Sequence, residues 1–203
     1  MATAQAITCA WTAAGAAYCW GTDIDGLLGD NSMNQETVPT AVSGLTAGTT
    51  QMAIARVINN SSGEGHVCAV VAGALFCWGS NQYGELGNGQ SGGVDQAETP
   101  GLVIGLDGGV TGVAVGANHS CALTNAGAVL CWGRGDFGSV GNASNASTSA
   151  PVPVIDGGAL AITAGDLFSC ATAGAQLLCW GYGDDGELGN GGLVNSNVPL
   201  VVQ

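Results

Sequence analysis

The chain has 203 residues, with 15 acidic side chains against two Lys plus Arg and a formal net charge of −13. So few cations cannot neutralise a run of phosphates, which excludes sequence-independent nucleic-acid binding and a polybasic anchor on an anionic membrane surface. Charged residues are only 8% and apolar ones 46%, so a disordered acidic tail does not fit, and no apolar run reaches the roughly 18 residues of a spanning helix.

Met1 to Thr8 has the composition of an inner strand and lacks the charged region of a leader. The chain is expected to be soluble, without membrane insertion, and any export signal is expected to lie outside it. Cys9 opens a short hairpin that ends in Cys19-Trp20-Gly21, followed by Gly26-Leu27-Leu28-Gly29, Asp30 and Pro39. The same order recurs at Cys68, Cys77-Trp78-Gly79, Gly84-Glu85-Leu86-Gly87, Asn88 and Pro100. It recurs at Cys121, Cys131-Trp132-Gly133, Gly138-Ser139-Val140-Gly141, Asn142, Pro151 and Pro153. The last copy has Cys170, Cys179-Trp180-Gly181, Gly186-Glu187-Leu188-Gly189, Asn190 and Pro199. The Cys-Trp-Gly tripeptides lie 58, 54 and 48 residues apart. The 36 glycines follow this motif and not a G-X-Y period, so this is a repeat protein.

Between Cys121 and Cys131 the sequence Ala-Leu-Thr-Asn-Ala-Gly-Ala-Val-Leu reads apolar, turn, apolar, which is the pattern of a β-hairpin. Short strands without helical periodicity predict an all-β fold of propeller-type blades, four repeats of about fifty residues. Gln51 to Val57 fits either a strand or a short helix. A hairpin of this size places its two cysteines opposite each other. Disulfides Cys9–Cys19, Cys68–Cys77, Cys121–Cys131 and Cys170–Cys179 are the preferred reading, with buried thiols or a metal as alternatives. A zinc site fares worse, because no C-x-x-C occurs and two hairpins would have to meet edge to edge. Paired cysteines point to an oxidising compartment, so the expected location is extracellular or at the cell surface.

The motif of His119-Ser120-Cys121-Ala122-Leu123, a glycine turn, Cys131-Trp132-Gly133, the later G-x-L-G and a late proline resembles the regulator-of-chromosome-condensation repeat, in particular its cysteine-bearing bacterial form. His66-Val67-Cys68 keeps the histidine, whereas Ile7 and Phe168 replace it in the other units. The resemblance covers essentially the whole chain and implies a propeller whose family members have seven four-stranded blades. Four units fall short of that number, which puts closure of a ring in doubt. The chain is expected to be one repeat array over 1–203, with a strand at 1–8 completing a blade, repeats at 9–67, 68–120 and 121–169, and an incomplete repeat at 170–203. Tail Val198 to Gln203 and head Met1 to Thr8 then read as two parts of one blade, joined within a chain or, preferably, between chains; an excised fragment of a larger propeller is the third alternative.

No enzyme is expected, and neither cofactor nor metal. His66 and His119 share one repeat position and read as structural residues, not as a general base. The turns Asp23-Ile24-Asp25-Gly26 and Asp184-Asp185-Gly186 are suggestive of calcium but supply too few oxygens alone, so solvated turns are favoured. Arg134-Gly135-Asp136 spells an adhesion tripeptide by coincidence. The tryptophans read as wedges between blades, with a stacking platform for a ligand as the sharper alternative. Sequons start at Asn59, Asn60, Asn118, Asn142 and Asn145; the candidate glycosylation acceptors are Asn142 and Asn145, in the Ser/Thr-rich stretch Gly141 to Ala150. The long insertions Thr46 to Gly65 and Gly87 to Thr99 vary between repeats, as recognition loops do. The expected function is an exported, non-enzymatic module that binds proteins or assembles with itself into a surface or filament structure. An enzyme inhibitor is the alternative, and guanine-nucleotide exchange is the least favoured.

Overall fold

The structure, a computed structural model, describes residues 1–4, 6–55, 65–92 and 96–203. Among those residues the chain forms four antiparallel sheets of four strands each. The first holds β1 (Ala2–Ala4), β2 (Ile7–Trp11), β3 (Ala17–Gly21) and β4 (Glu36–Ala41). The second holds β5 (Thr49–Ile54), β6 (His66–Val71), β7 (Ala74–Gly79) and β8 (Ala97–Leu102). The third holds β9 (Val110–Val115), β10 (His119–Thr124), β11 (Val129–Gly133) and β12 (Thr148–Ile155). The fourth holds β13 (Ala159–Ala164), β14 (Phe168–Ala173), β15 (Gln176–Gly181) and β16 (Ser196–Val201).

Within each sheet the strands follow chain order, as in a propeller blade. The first strands of successive blades, β1, β5, β9 and β13, lie side by side along the inner edge. In β6 and β10 every residue but the last is buried, because neighbouring blades cover both faces. In β2 Ile7 and Cys9 are buried and Thr8 is not, the period of two of a strand with one covered face. Gln51 to Ile54 lies in β5, so that part of the ambiguous stretch is strand. Arg56, Val57 and the sequons at Asn59 and Asn60 lie outside the described residues.

The blades are out of phase by one strand with repeats counted from cysteine to cysteine. The strand that precedes each cysteine hydrogen-bonds to the cysteine strand itself: β1 pairs with β2, and β13 with β14. The fourth sheet therefore has four strands like the others. Head and tail do not share a sheet; they are the inner strand of the first blade and the outer strand of the fourth.

The apolar core lies between blades. Ile7, Leu27 and Leu28 of the first blade cluster with Met52, Val67 and Trp78 of the second. Leu86 and Val103 of the second cluster with Val113 and Trp132 of the third. Val140 of the third clusters with Ala171 and Trp180 of the fourth. Each of these tryptophans is fully buried and donates its indole N–H backwards to the preceding blade. Trp78 donates to the carbonyl of Leu27 at 2.9 Å, Trp132 to that of Glu85 at 2.8 Å and Trp180 to that of Ser139 at 3.1 Å. The acceptor is always the second residue of the G-x-L-G motif, and the motif's last glycine is where the indole rests.

Gly87 shows why that residue is glycine. Its φ is +66°, and a Cβ there would lie 2.8 Å from Trp132 Nε1 and 2.8 Å from a methyl of Val103. Gly44 has a similar φ of +76° but nothing within 4 Å of a Cβ. Gly44→Ala is expected to cost only the left-handed backbone penalty, about 1–2 kcal/mol. Gly87→Ala adds displacement of the buried indole and is expected to cost about 2–4 kcal/mol. Thermal denaturation of the two variants side by side checks the difference.

Candidate functional site: blade joints and the row across them

All eight cysteines are paired within their hairpins, Cys9–Cys19, Cys68–Cys77, Cys121–Cys131 and Cys170–Cys179, with Cα separations of 4.1 to 4.2 Å. The strands set this up, because each pair occupies directly opposed positions in the ladder. An oxidised sulfur is no nucleophile, so neither histidine has a thiolate to activate.

His66 and His119 sit in the second and third joints. His66 Nε2 is 2.7 Å from Ser120 Oγ of the next blade, and His119 Nε2 is 2.8 Å from Ser169 Oγ. Ser120 donates its own proton to the Glu85 carbonyl at 2.8 Å, so its oxygen accepts the Nε2 proton of His66. That tautomer leaves His66 Nδ1 as a buried lone pair with no partner among the described residues. A second proton there would have no acceptor. Burial accordingly pushes His66 down to about 3, with His119 adding to the effect, and pushes His119 down to about 4. In the first joint the same two positions hold Ile7 and Val67, both in one apolar cluster. His66 thus serves its joint as a donor.

The Arg134-Gly135-Asp136 tripeptide is folded on itself, since Arg134 Nε meets Asp136 Oδ2 at 2.9 Å. The guanidinium also lies 4.9 Å from the ring centre of Tyr83 and 5.9 Å from that of Phe137. Phe137 in turn meets Tyr182 edge to face at 5.6 Å. Tyr83, Arg134, Phe137 and Tyr182 therefore form a row over the second, third and fourth blades. Phe137 is 37% exposed and the other three partly so. Sequence reading missed this row. The signal was present at the second and fifth positions after each Cys-Trp pair, which are adjacent only once blades stack.

The row ends in acid. Asp184 and Asp185 are exposed, and Asp185 above all holds the Tyr182 phenol above its usual range. Beside Phe137 a cleft is lined by Asn145, Asn195, Ser196 and Asn197. Asn145 is exposed, whereas Asn142 is half-buried and accepts the N–H of Ser144 at 3.2 Å; Asn118 is buried. Among the described residues no three His, Cys, Asp or Glu side chains form a metal-holding group, and no helix is long and apolar enough to cross a membrane.

The chain matches the model of the regulator of chromosome condensation (RCC1) repeat over residues 14–70, 72–123 and 126–172. It is 35% identical over 138 residues to the E3 ubiquitin-protein ligase HERC2 of Mus musculus, which covers 66% of this chain and 3% of the ligase. It is 32% identical over 102 residues to the ultraviolet-B receptor UVR8 of Arabidopsis thaliana, 49% of this chain and 22% of the receptor. The crystal structure of human WBSCR16 superposes with a TM-score of 0.82 at 25% identity, over 99% of this chain and 52% of that one. Yeast RCC1 (Prp20), solved with Kap60 bound, superposes at 0.83 with 20% identity, over 100% of this chain and 48% of that one, and shows the fold. The chain thus spans a small part of these curated relatives and about half of the solved propellers.

The joint histidines make stability depend on pH. Both are held neutral in the fold, at about 3 and about 4 against an ordinary 6.5. Their contribution is complete above pH 6.5 and is lost as pH falls through the window from 6.5 to the folded values, where only the unfolded chain takes up protons. With both groups titrating, the slope between pH 6 and 4.5 is expected to lie at about 2 kcal/mol per pH unit or a little more. His119→Gln, whose amide keeps a hydrogen-bonding group for Ser169, is expected to halve it. Urea unfolding across this range is the measurement.

Proposed function

Because the chain belongs to the regulator of chromosome condensation (RCC1) repeat family, we propose that it is a non-enzymatic, exported protein-binding module whose contact surface is the row Tyr83, Arg134, Phe137 and Tyr182. The row is the observation that carries this reading. It places an arginine between aromatic rings on a rigid base, and arginine and aromatic side chains dominate the energetics of protein interfaces. Four hairpin disulfides support export, since such bridges persist in oxidising compartments. Yeast RCC1 binds the protein Kap60, and an enzyme inhibitor would be one case of the same binding role. Exposed Asn145, at the cleft beside Phe137, is the favoured glycan acceptor, with Asn142 second.

A displayed peptide library selected on the native protein tests the surface. Binders are expected to lose about 30-fold in affinity or more on a variant with Arg134→Ser and Phe137→Ala. The melting temperature should stay close to that of the parent. A set of binders indifferent to both changes would place recognition elsewhere.

A second copy of the chain is a further proposed partner, on a separate observation. Among the described residues the indole-to-carbonyl joint is made three times, and its two halves recur there unjoined as Trp20 of the first blade and the Glu187 carbonyl of the fourth. Trp20 is half-buried and, among the described residues, has no hydrogen-bond partner for its indole. Stacking of blade face on blade face would complete the joint and build a head-to-tail assembly. Light scattering should show mass rising with concentration and Trp20→Phe weakening the rise. A native chain that stays monomeric at millimolar concentration rejects self-assembly.

A further inference from the structure

The first two blades differ by a local reversal of chemistry. In the second blade Asn81 organises the loop after Cys-Trp-Gly: its Oδ1 accepts the N–H of Leu86 at 3.1 Å. Its Nδ2 donates to Asn88 Oδ1 at 3.2 Å and to the Gln90 carbonyl at 3.1 Å. Asn88 Oδ1 also accepts the N–H of Gln90 at 3.0 Å.

The first blade repeats this geometry with carboxylates. Asp23 stands where Asn81 does, and its Oδ1 accepts the N–H of Leu28 at 3.0 Å. Asp30 replaces Asn88 and accepts the N–H of Ser32, the counterpart of Gln90, at 2.9 Å. The atom that matches the donating Nδ2 of Asn81 is Asp23 Oδ2, an oxygen. It is buried with no hydrogen-bond partner among the described residues, on a residue only 8% exposed. Where the second blade sets a donor against two acceptors, the first sets acceptor against acceptors.

The surroundings change the same way. Asn31 N–H donates to the Glu98 carbonyl at 3.1 Å, just as Gly89 N–H donates to that of Ser149 at 2.8 Å. Glu98 thus takes a serine's place, and Asp25 takes that of Tyr83. Burial, then the charges of Asp30, Glu98 and Asp25, raise the Asp23 carboxyl. Four neutral positions of one blade joint are acidic at the other.

We propose that this loop is a calcium site, held by Asp23 Oδ2, the Asp30 carboxylate and the Ser32 carbonyl, with Glu98 at its rim. A cation there does what the amide group of Asn81 does in the next blade: it sits among the oxygens and satisfies them all. Oxygen-only ligands select a hard cation over zinc or copper. A loop of mixed carboxylate and carbonyl donors suits the irregular shell of calcium better than the strict octahedron of magnesium. Two carboxylates and a carbonyl leave the remaining coordination positions to water. The expected affinity is that of extracellular modules, a Kd of about 0.1–1 mM.

Calorimetric titration of the native chain with calcium chloride should give one ion per chain. The melting temperature should rise in calcium relative to EDTA, and less in magnesium. Asp23→Asn rebuilds the amide of the second blade, so it should abolish the calcium response and melt higher than the parent in EDTA. Asp30→Asn should weaken binding at least about tenfold. Equal melting of the parent in EDTA and millimolar calcium, or an Asp23→Asn variant that still responds, overturns the site. A parent that gains stability over Asp23→Asn near pH 5 without any calcium response would identify a proton shared between Asp23 and Asp30, and also overturns it.

Discussion

Every joint in this molecule hangs on one hydrogen bond, the indole N–H of a buried tryptophan to a carbonyl in the preceding blade. A buried indole must find an acceptor, because leaving the N–H unmade costs about 1–3 kcal/mol. That requirement fixes the rest of the motif. The acceptor carbonyl has to present itself at a turn, so the flanking residues are glycines with positive φ, such as Gly84 and Gly87. The indole ring then covers the last of them and excludes any side chain there. The intervening Leu28, Leu86 or Val140 is turned inward and buried beside it. Cys-Trp-Gly and G-x-L-G are therefore two ends of one contact, made between blades and not within them.

The disulfides solve a different problem. A blade of four strands with alanine, glycine and serine at many positions has little apolar volume of its own, and the clusters confirm that burial arises between blades. The sulfur pair lies on the central hairpin of each blade, where it restricts the unfolded chain by closing a short loop, worth roughly 2–3 kcal/mol on the entropy model. Crosslinking the hairpin keeps each blade in register while its neighbours supply the core. The fourth blade shows the contrast: its own cluster reduces to Cys170, Cys179 and Leu188, with Phe168 and Val202 alongside.

Much of this was legible in the sequence because it is carried by local spacing. The hairpins follow from turn residues between short apolar runs, and the cysteine pairing follows from the hairpins. The tryptophans were read as wedges, one per unit, and Trp78, Trp132 and Trp180 are buried in that role while Trp20 is half-buried. The phase of the blades was not legible. A cysteine is a conspicuous marker, yet a sheet is bounded by its hydrogen bonds, and the strand before each cysteine belongs to it. The joint pairs were equally hidden, because His66 and Ser120 are 54 residues apart and acquire meaning only when blades stack. Ile7 opposite Val67 then makes sense as the apolar form of the same pair.

These hidden pairs also indicate where to look for function in an array of this kind. Residues that recur in every blade are explained by the joint and the hairpin, so they say little about partners. Departures from the repeat are different, because the scaffold does not require them. Tyr83 and Phe137 share a position that is Asp25 in the first blade and Asp185 in the fourth, and Arg134 and Tyr182 share one that is otherwise Thr22 and Ser80. The same loop end is thus aromatic and cationic in the middle of the array and acidic at both sides. A propeller blade holds its loops at fixed spacing, so a single substitution per blade writes a chemical pattern across the whole face. With only two Lys plus Arg in the chain, placing Arg134 between two rings concentrates its scarce positive charge at the centre of that pattern.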